Sequence, residues 1–206
     1  MIAIVDYNAG NLTSVKLALD HLGAPSEITQ SPARILAADR VIFPGVGSAG
    51  AAMENIRALG LAEVLHQVVQ RGTPFLGICL GTQIILEVSE EDGGVPGLGI
   101  LAGSVRLFRP SDPADKVPQI GWNSVTFSRP HPLLEGIENG SEFYFVHSYY
   151  PAPAERGFVL GETEYAGIRF ASFITRDNLA ATQFHPEKSG RLGLQVLHNF
   201  AAWKTA

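Results

Sequence analysis

The stretch PFLGICLGTQIILEV (residues 74–88) joins a buried strand to a helix through a cluster of small residues. The continuous apolar run PFLGIC predicts a strand buried on both faces, and TQIILEV predicts the beginning of a helix. The only cysteine of the chain, Cys79, lies at the junction, with Gly77 two residues before it and Gly81 two residues after it. We therefore expect Cys79 at the carboxyl end of a buried strand, where sites form in doubly wound sheets.

The first half of the chain repeats this alternation of strand and helix. IAIVDY (2–7) and VIFP (41–44) predict buried strands, and each is followed by an amphipathic stretch. In the first of these stretches we expect Asn11 to cap the helix and Gly23 to end it, and in the second Gly60 predicts a break. Continuous apolar strands alternating with helices predict an α/β, doubly wound fold with a mostly parallel sheet flanked by helices.

From about residue 90 the sequence becomes richer in strands, and we expect antiparallel, β-rich additions in the second half. Turn residues separate the strand-like segments SVRLF, NSVTF, EFYFVHSYY, FVLGETEY, ASFITRD and LAATQFH. The last stretch (189–206) has apolar residues at helical spacing and predicts a helix that packs back on the sheet. The length of 206 residues, without a repeat or a linker, predicts a single domain, 1–206.

Composition argues against several function classes. The formal net charge is −5 and no basic run occurs, which disfavours nucleic-acid binding. A single cysteine permits neither an internal disulfide nor a metal site built from several cysteines. The start, MIAIVDYNAGN, lacks the basic segment and cleavage site of a signal peptide, and its apolar run is too short to cross a bilayer. We therefore expect a soluble cytoplasmic protein.

Cys79 has two interpretations. A lone cysteine is most often a small buried hydrophobe, and composition alone favours that role. The spacing GICLG instead matches the nucleophile elbow G-x-S-x-G with cysteine in place of serine, where the glycines allow a tight turn. A helix beginning behind the cysteine would favour the reactive thiolate. Such a nucleophile needs a general base and a group that orients the base.

Two of the six histidines are the stronger candidates for the base. His147 ends the strand-like FYFVHSYY, whereas His185 lies in AATQFHPEKSG, where a strand meets the start of a helix. In an extended segment residues i and i+2 point the same way, so His185 and Glu187 can share one face, and Pro186 stiffens that geometry. Glu187 could then hold the imidazole in the required tautomer and stabilise its charged form. A surface His-Pro-Glu turn is the alternative.

The loop GVGSAG (45–50) matches the dinucleotide-binding pattern G-x-G-x-x-G after a strand and before a helix. The next strand, PFLGIC, carries no acidic residue to hold a ribose, so we expect no dinucleotide there. An oxyanion hole is a better use for the loop, because flexible backbone at Gly45, Val46 and Gly47 can turn an N–H toward a developing negative charge. The amide of Leu80, directly after the cysteine, would be the second donor.

Together, GICLGTQ and the distant HPE resemble the class-I, triad-type glutamine amidotransferases. Within that class, the finer motifs look like the glutaminase subunits of imidazole glycerol phosphate synthases, and they run from one end of the chain to the other. The matching segments are DYNAGNL, FPGVGSAGAAM, GICLGTQ, GLGILAG, GWNSV, FYFVHSYY and ATQFHPEKSGRLG. Thr82 departs from the family pattern, which often has methionine after CLG, and we expect it to affect packing or affinity rather than chemistry.

The resemblance implies a role for each matching site residue. Cys79 would attack the glutamine carboxamide to give a glutamyl thioester and ammonia, with His185 as base and acid and Glu187 as its orienter. The residues that would serve the oxyanion are Val46, Gly47 and Leu80. The residues that would hold glutamine are Gly45, Gly81, Gln83, His147, Ser148 and Tyr149. The resemblance implies no metal and no organic cofactor.

The resemblance also implies a heterodimer with a (β/α)8-barrel cyclase. Ammonia would pass through that barrel to a ribulosyl-aminoimidazole carboxamide nucleotide, giving imidazole glycerol phosphate for histidine synthesis and an aminoimidazole carboxamide ribotide for purine synthesis. A sealed route would keep the ammonia undiluted and unprotonated. Trp122 and Asn123, in GWN, are the expected interface residues because an aromatic anchor is a common hot spot. A buried structural tryptophan is the alternative for the same motif.

Overall fold

The computed structural model describes residues 1–8 and 12–205. Its helices are α1 (Leu12–His21), α2 (Pro32–Leu36), α3 (Ala49–Ala58), α4 (Leu61–Gln70), α5 (Leu80–Ile84) and α6 (Gly190–Ala202). Its strands are β1 (Ile2–Val5), β2 (Ser26–Thr29), β3 (Arg40–Gly45), β4 (Phe75–Cys79), β5 (Val88–Ser89), β6 (Val95–Pro96), β7 (Gly103–Leu107), β8 (Gln119–Ser124), β9 (Thr126–Phe127), β10 (Glu142–His147), β11 (Tyr149–Pro153), β12 (Val159–Tyr165), β13 (Ile168–Arg176) and β14 (Leu179–Thr182). Asn11, the expected cap of α1, lies outside the described residues.

The central sheet has the strand order β2-β1-β3-β4-β14-β13-β12-β9. The strands from β2 to β14 in this order run parallel, and β13, β12 and β9 continue the sheet antiparallel. Two smaller sheets, β10-β8 and β11-β7-β5-β6, flank it. The predicted doubly wound α/β fold with antiparallel additions is confirmed.

Helices cover both faces of the parallel strands, because alternate side chains of each strand point to opposite faces. In β1, Ala3 and Val5 belong to one core, which also contains buried residues of α2, α3, α4 and α5. Ile2 and Ile4 belong to the other core, which contains buried residues of α1 and α6. The two-sided burial explains why these strands are apolar along their whole length.

The glycine punctuation of the first half is confirmed. Gly60, with a φ of +65°, separates α3 from α4, and Gly23, with a φ of +66°, follows the end of α1. Both angles lie in the left-handed region that glycine adopts without a steric penalty.

Among the helices of the described residues, none combines the length and the apolar composition that crossing a membrane requires.

Three predicted element boundaries were wrong. The helix expected from TQIILEV begins at Leu80 and already ends at Ile84, because N–H groups of a returning loop occupy the carbonyls of Ile84 and Ile85 at 2.7 and 3.0 Å. NSVTF divides into β8 and β9, which pair with different strands. EFYFVHSYY divides at Ser148 into β10 and β11, which belong to different sheets.

Candidate active site

Cys79 ends β4 and immediately precedes α5, so strand and helix meet without a loop. Its φ of +53° and ψ of −107° place a non-glycine residue in a backbone region that L-amino acids rarely adopt. Such strain is typical of functional turns, where the surrounding structure holds the residue in place. The thiol is 6% exposed and lies at a cavity of about 410 Å³. The structure therefore gives Cys79 the geometry of a nucleophile elbow.

Glycines near the elbow permit close packing of α5 against the sheet. A Cβ at Gly81 would lie 1.9 Å from the carbonyl oxygen of Phe43 on β3, and a Cβ at Gly45 would lie 2.2 Å from Oη of Tyr7. Neither Gly45 nor Gly81, both expected to hold glutamine, is among the residues that line the cavity. The sequence indicated that these glycines matter, but it did not predict that even a single Cβ atom would clash at each of the two positions.

The cavity beside Cys79 brings together most of the other expected site residues. Its wall consists of Val46, Gly47, Cys79, Leu80, Gln83, Glu91, Pro118, Val146, His147, Ser148, Tyr149, His185 and Lys188. These residues come from segments far apart in the chain, and they meet because β3, β4 and β14 are neighbours whose carboxyl ends share one edge of the sheet. A small polar molecule of amino-acid size fits a cavity of this volume.

His185 and Glu187 are in contact at the end of β14. Nδ1 of His185 lies 2.8 Å from Oε1 of Glu187, and both side chains are 2% exposed. The expected extended geometry was wrong in detail, because Pro186–Lys188 forms a 3₁₀ turn. The turn is held by Ser189, whose hydroxyl donates to the His185 carbonyl at 2.7 Å and accepts from the amide of Tyr144 at 2.9 Å. His185 is thus a buried imidazole whose Nδ1 faces a carboxylate.

The electrostatic environment of His185 favours its protonated form. Burial by itself lowers the pKa of His185, but the neighbouring Cys79 and the hydrogen-bonded Glu187 together raise that pKa to about 10. Nε2 of His185 is buried without a hydrogen bond of standard geometry. The coupling to Cys79 is therefore better described as charge attraction than as a formed hydrogen bond, and such contacts commonly tighten only when substrate is bound.

His147, the other histidine candidate, is arranged differently. Its Nδ1 lies 2.7 Å from the carbonyl oxygen of Tyr149, which can only accept, so Nδ1 carries the proton. Burial lowers the pKa of His147 to about 4, the bond to Tyr149 partly opposes this, and the charge of His185 lowers it further. The ring of His147 packs against aromatic rings of Phe108, Phe145 and Phe170. An imidazole with so low a pKa is a weak general base, and His147 has no carboxylate at Nδ1 to stabilise its protonated form.

Val46, Gly47 and Leu80, the expected oxyanion residues, all lie in the cavity wall. Gly45, the last residue of β3, pairs in register with Cys79, so the loop that follows begins directly beside the thiol. Gly47 has a φ of +96°, a conformation suited to glycine, and Val46 is 37% exposed. The loop therefore begins beside the sulfur, and Val46 and Gly47 contribute to the wall of the same cavity.

Sequence reasoning missed four residues of the cavity wall, Glu91, Pro118, Val146 and Lys188, and also Gln183 beside the sulfur. Glu91 lies in a run that reads as loop, yet it lines the cavity and its Oε2 accepts from the amide of Ala49 at 2.7 Å. Burial raises the pKa of Glu91, against the opposing effect of the Ala49 bond. Gln183 is completely buried and its Nε2 lies 3.6 Å from Sγ of Cys79. Its position two residues before His185, directly after the end of β14 at Thr182, was the available signal.

Thr82, the residue that departs from the family pattern, has a structural partner. Its hydroxyl donates to the carbonyl oxygen of Thr182 at 2.6 Å, and the hydroxyl of Thr182 in turn donates to the carbonyl of Phe184 at 3.0 Å. Both threonines are completely buried. Thr82 therefore ties the helix behind the cysteine to the strand that leads to His185.

The change Thr82→Val is expected to lower stability without removing activity. It keeps the side-chain shape and deletes the buried hydroxyl, which costs about 1 kcal/mol and lowers the melting temperature by about 2–4 °C. Differential scanning calorimetry measures the effect. The same substitution at the exposed Thr126 is the control and should leave the melting temperature unchanged. Equal melting temperatures for the Thr82→Val protein and the parent would show that this bond contributes nothing.

Trp122 and Asn123 lie on β8, outside the cavity wall. Trp122 is 51% exposed and contacts Tyr144 edge-on, with ring centroids 6.1 Å apart. Asn123 is half-buried, and its side-chain oxygen accepts from Gln119 at 2.7 Å. The alternative of a buried structural tryptophan is therefore wrong for Trp122.

Across the described residues, no group of three or more histidine, cysteine or acidic side chains is placed to hold a metal ion.

Comparison with known proteins settles the family. The model of the family described as "Glutamine amidotransferase class-I" matches residues 3–203. The chain belongs to the class-I glutamine amidotransferases. This amidotransferase is also 53% identical over 200 residues to "Imidazole glycerol phosphate synthase subunit HisH" of Moorella thermoacetica, covering 97% of this chain and 93% of that protein. The HisH subunit of Methanocaldococcus jannaschii is 50% identical over 200 residues, covering 97% and 98%. At this identity the amidotransferase belongs to the HisH family.

Solved structures agree with the fold. A crystal structure described as a glutamine amidotransferase superposes with a TM-score of 0.75 at 17% identity, covering 98% of this chain and 100% of the other. A putative GMP synthase subunit from Thermoplasma acidophilum superposes with a TM-score of 0.73 at 19% identity, covering 98% and 92%. The amidotransferase therefore shares its architecture with proteins whose sequences have diverged far from its own.

Proposed function

We propose that this chain, as one domain spanning 1–206, is the glutaminase subunit of an imidazole glycerol phosphate synthase. The single observation that carries the proposal is the placement of a strained Cys79 and a carboxylate-bound His185 at one cavity, in a member of the HisH family. Glutamine would be hydrolysed to glutamate at this cavity. The ammonia would be used by a cyclase subunit that makes imidazole glycerol phosphate and aminoimidazole carboxamide ribotide.

The proposed chemistry is nucleophilic acyl transfer. The Cys79 thiolate would attack the carboxamide carbon, and the resulting negative charge on the carbonyl oxygen would be met by backbone N–H groups at Val46, Gly47 and Leu80. His185 would give its proton to the departing nitrogen as the C–N bond breaks, leaving a thioester and ammonia. His185 would next take a proton from water, whose oxygen attacks the thioester. The C–S bond then breaks, which restores the Cys79 thiolate and the protonated His185 and releases glutamic acid, which ionises to glutamate. Neither half-reaction requires a metal or an organic cofactor.

The charges on the cavity wall fit the two ends of an amino acid. Glu91 contributes a carboxylate to the cavity wall, and Lys188 contributes a cationic side chain. With the carboxamide at Cys79, Glu91 would attract the α-ammonium group of glutamine and Lys188 its α-carboxylate. Gln83, Ser148 and Tyr149 lie in the same wall and would contribute further polar contacts.

The proposed docking surface for the cyclase is the exposed face of β8 and β10. Ile120 and Trp122 are 63% and 51% exposed, and their partners across the strand pair are Val146 and Tyr144. Val146 also lines the cavity, so the apolar face leads directly to the place where ammonia would be released. An aromatic and aliphatic patch of this kind suits a protein partner. The partner proposed from the family resemblance is a (β/α)8-barrel.

The decisive experiment is to measure glutamine hydrolysis with and without the cyclase. Strong stimulation by the cyclase, together with glutamine-dependent synthesis of imidazole glycerol phosphate, supports the proposal. Full glutaminase activity of the isolated chain, unaffected by the cyclase, would instead favour a hydrolase that acts alone.

The change Trp122→Ala is expected to weaken the complex with the cyclase. Loss of an exposed aromatic anchor costs about 2 kcal/mol, which corresponds to a roughly thirty-fold rise in Kd. Isothermal titration calorimetry with the cyclase measures this change. Leu17→Ala on α1 is the matched control, because Leu17 is also exposed, at 62%, but lies outside the cavity wall and the β8–β10 face. An unchanged Kd for the Trp122→Ala protein would remove this face from the interface.

A further inference from the structure

A chain of hydrogen bonds connects the backbone carbonyl of Tyr149 to the sulfur of Cys79. Nε2 of Gln83 donates to the Tyr149 oxygen at 2.8 Å and to Oε1 of Gln183 at 3.0 Å. Nε2 of Gln183 then donates to Sγ of Cys79 at 3.6 Å. Gln83 and Gln183 come from segments that are 100 residues apart in the chain. They meet because β14, which leads to Gln183, lies beside β4 in the central sheet.

The direction of every bond in this chain is determined by the Tyr149 carbonyl, which has no proton to give. The amide nitrogen of Gln83 must therefore face Tyr149, and its second hydrogen must be accepted by an oxygen. Gln183 can supply that oxygen only by turning its own amide nitrogen toward Cys79. An N–H donor at the sulfur is thus the only orientation that leaves each of these groups satisfied.

Burial makes this orientation costly to change. Gln183 is completely buried, and Gln83 and Cys79 are each 6% exposed. The backbone of Gln183 is also anchored, because its amide donates to the carbonyl of Ser172 at 2.9 Å. Rotation of either side-chain amide would leave buried polar groups unpaired, which costs more than the hydrogen bonds contribute. Gln183 is therefore a preorganised donor at the sulfur.

We propose that Gln183 is a further catalytic residue, whose amide N–H stabilises negative charge on Cys79 Sγ. The inference rests on the proposed function of Cys79 as the nucleophile. Negative charge leaves the sulfur when the Sγ–C bond to the substrate forms, and it returns when that bond breaks during thioester hydrolysis. A donor at the sulfur favours the charged thiolate before attack and again when the sulfur departs. Gln183 is not in the cavity wall, so it acts on the sulfur without contacting glutamine in the cavity.

Two substitutions separate this role from one of packing alone. Gln183→Glu keeps the size and retains an oxygen acceptor for Gln83, but it replaces the N–H at the sulfur with oxygen. Gln183→Met keeps the length and removes all polarity. If Gln183 only filled space and supported Gln83, the glutamate variant would be the less damaging of the two. If it donates to the sulfur, the glutamate variant is the more damaging at each pH at which its carboxyl is ionised, because it then places negative charge against the thiolate.

The experiment measures the rate of Cys79 alkylation by iodoacetamide against pH in the full chain, and glutaminase kcat and KM in the complex with the cyclase. We expect alkylation and kcat to fall about 10-fold for Gln183→Met and about 100-fold for Gln183→Glu, with KM for glutamine unchanged. We also expect the alkylation profile of both variants to move to higher pH. Gln195→Met is the control, since Gln195 is a half-buried glutamine on α6 outside the cavity wall.

Parent-like alkylation rates and pH profiles in both folded variants would overturn the proposal, as would a Gln183→Glu protein that is more active than Gln183→Met. If the variants do not fold, the side-chain amide protons of Gln183 can be followed by ¹⁵N NMR in the unmodified chain. These resonances should shift when Cys79 is alkylated, and unshifted resonances would also overturn the proposal. A parent complex without glutaminase activity would refute the proposed function instead, because alkylation of Cys79 requires no glutamine.

Discussion

The change Cys79→Ser is expected to abolish glutamine-dependent synthesis by the complex while synthesis from added ammonia continues. Serine keeps the side-chain size at the elbow but, beside the same histidine, it is a far weaker nucleophile than a thiolate. The loss should be on the order of 10⁴-fold or more in kcat, comparable to removal of a nucleophile elsewhere. Parallel assays with glutamine and with ammonium salts measure the two activities in one preparation.

The ammonia assay is the internal control for the Cys79→Ser protein. Continued ammonia-dependent synthesis shows that the cyclase remains functional in the preparation, and co-elution of the two chains in size-exclusion chromatography shows that the variant folds and assembles. Retained glutaminase activity would exclude Cys79 as the nucleophile and would revive the interpretation of a small buried hydrophobe. Loss of both activities together would indicate an inactive cyclase preparation, and the assay would be repeated with cyclase that is active with ammonium salts alone.

The change Glu187→Gln is expected to lower kcat about 10²-fold and to move the alkaline limb of the pH–rate profile to lower pH. The carboxylate is one of the groups that raise the pKa of His185 above its ordinary value of 6.5. Its removal lowers that pKa, so the imidazolium that protonates the leaving nitrogen is lost at a lower pH. The folded protein should remain stable, because glutamine is the same size and can still accept from Nδ1.

Steady-state kinetics of the complex across pH, together with NMR titration of the His185 ring, test this prediction. Glu164→Gln is the matched control, because Glu164 forms an exposed ion pair with Arg169. An unchanged profile in the Glu187→Gln protein would remove Glu187 from its proposed role as the orienting carboxylate. A titration of His185 at higher pH in that variant would contradict the electrostatic argument directly.

Three of the parallel strands, β1, β3 and β4, could be predicted from the sequence because two-sided burial leaves a simple pattern. The mostly half-buried β2 was not predicted, and β14, expected among the antiparallel additions, pairs parallel with β4. Strands such as PFLGIC are apolar throughout, and each is separated from the next by a helix with a clear end. The division at Ser148 could not be predicted in the same way. The strands on either side of it have similar composition, and only their pairing with β8 and with β7 assigns them to different sheets.

In the candidate site, too, the features set by neighbouring residues could be predicted, whereas the features set by the pairing of distant strands could not. The elbow at Cys79 and the contact between His185 and Glu187 depend on neighbours in sequence, so spacing was sufficient to suggest them. The pairing of Gln83 with Gln183, and of Thr82 with Thr182, depends on the register of β4 beside β14. Nothing in either segment alone indicates that pairing, and Glu91 reaches the cavity only because its loop packs against α3.

The backbone conformation of Cys79 also has a consequence for the evolution of this position. Its φ of +53° and ψ of −107° suit glycine, which has no Cβ to crowd the turn. Selection for thermal tolerance alone would therefore tend to replace this cysteine by glycine, with a gain on the order of 1 kcal/mol from relieved strain. A cysteine at a position whose backbone favours glycine is therefore explained by the reaction that its thiol performs. In a lineage that no longer needs the ammonia, this cysteine should be among the first residues to be lost.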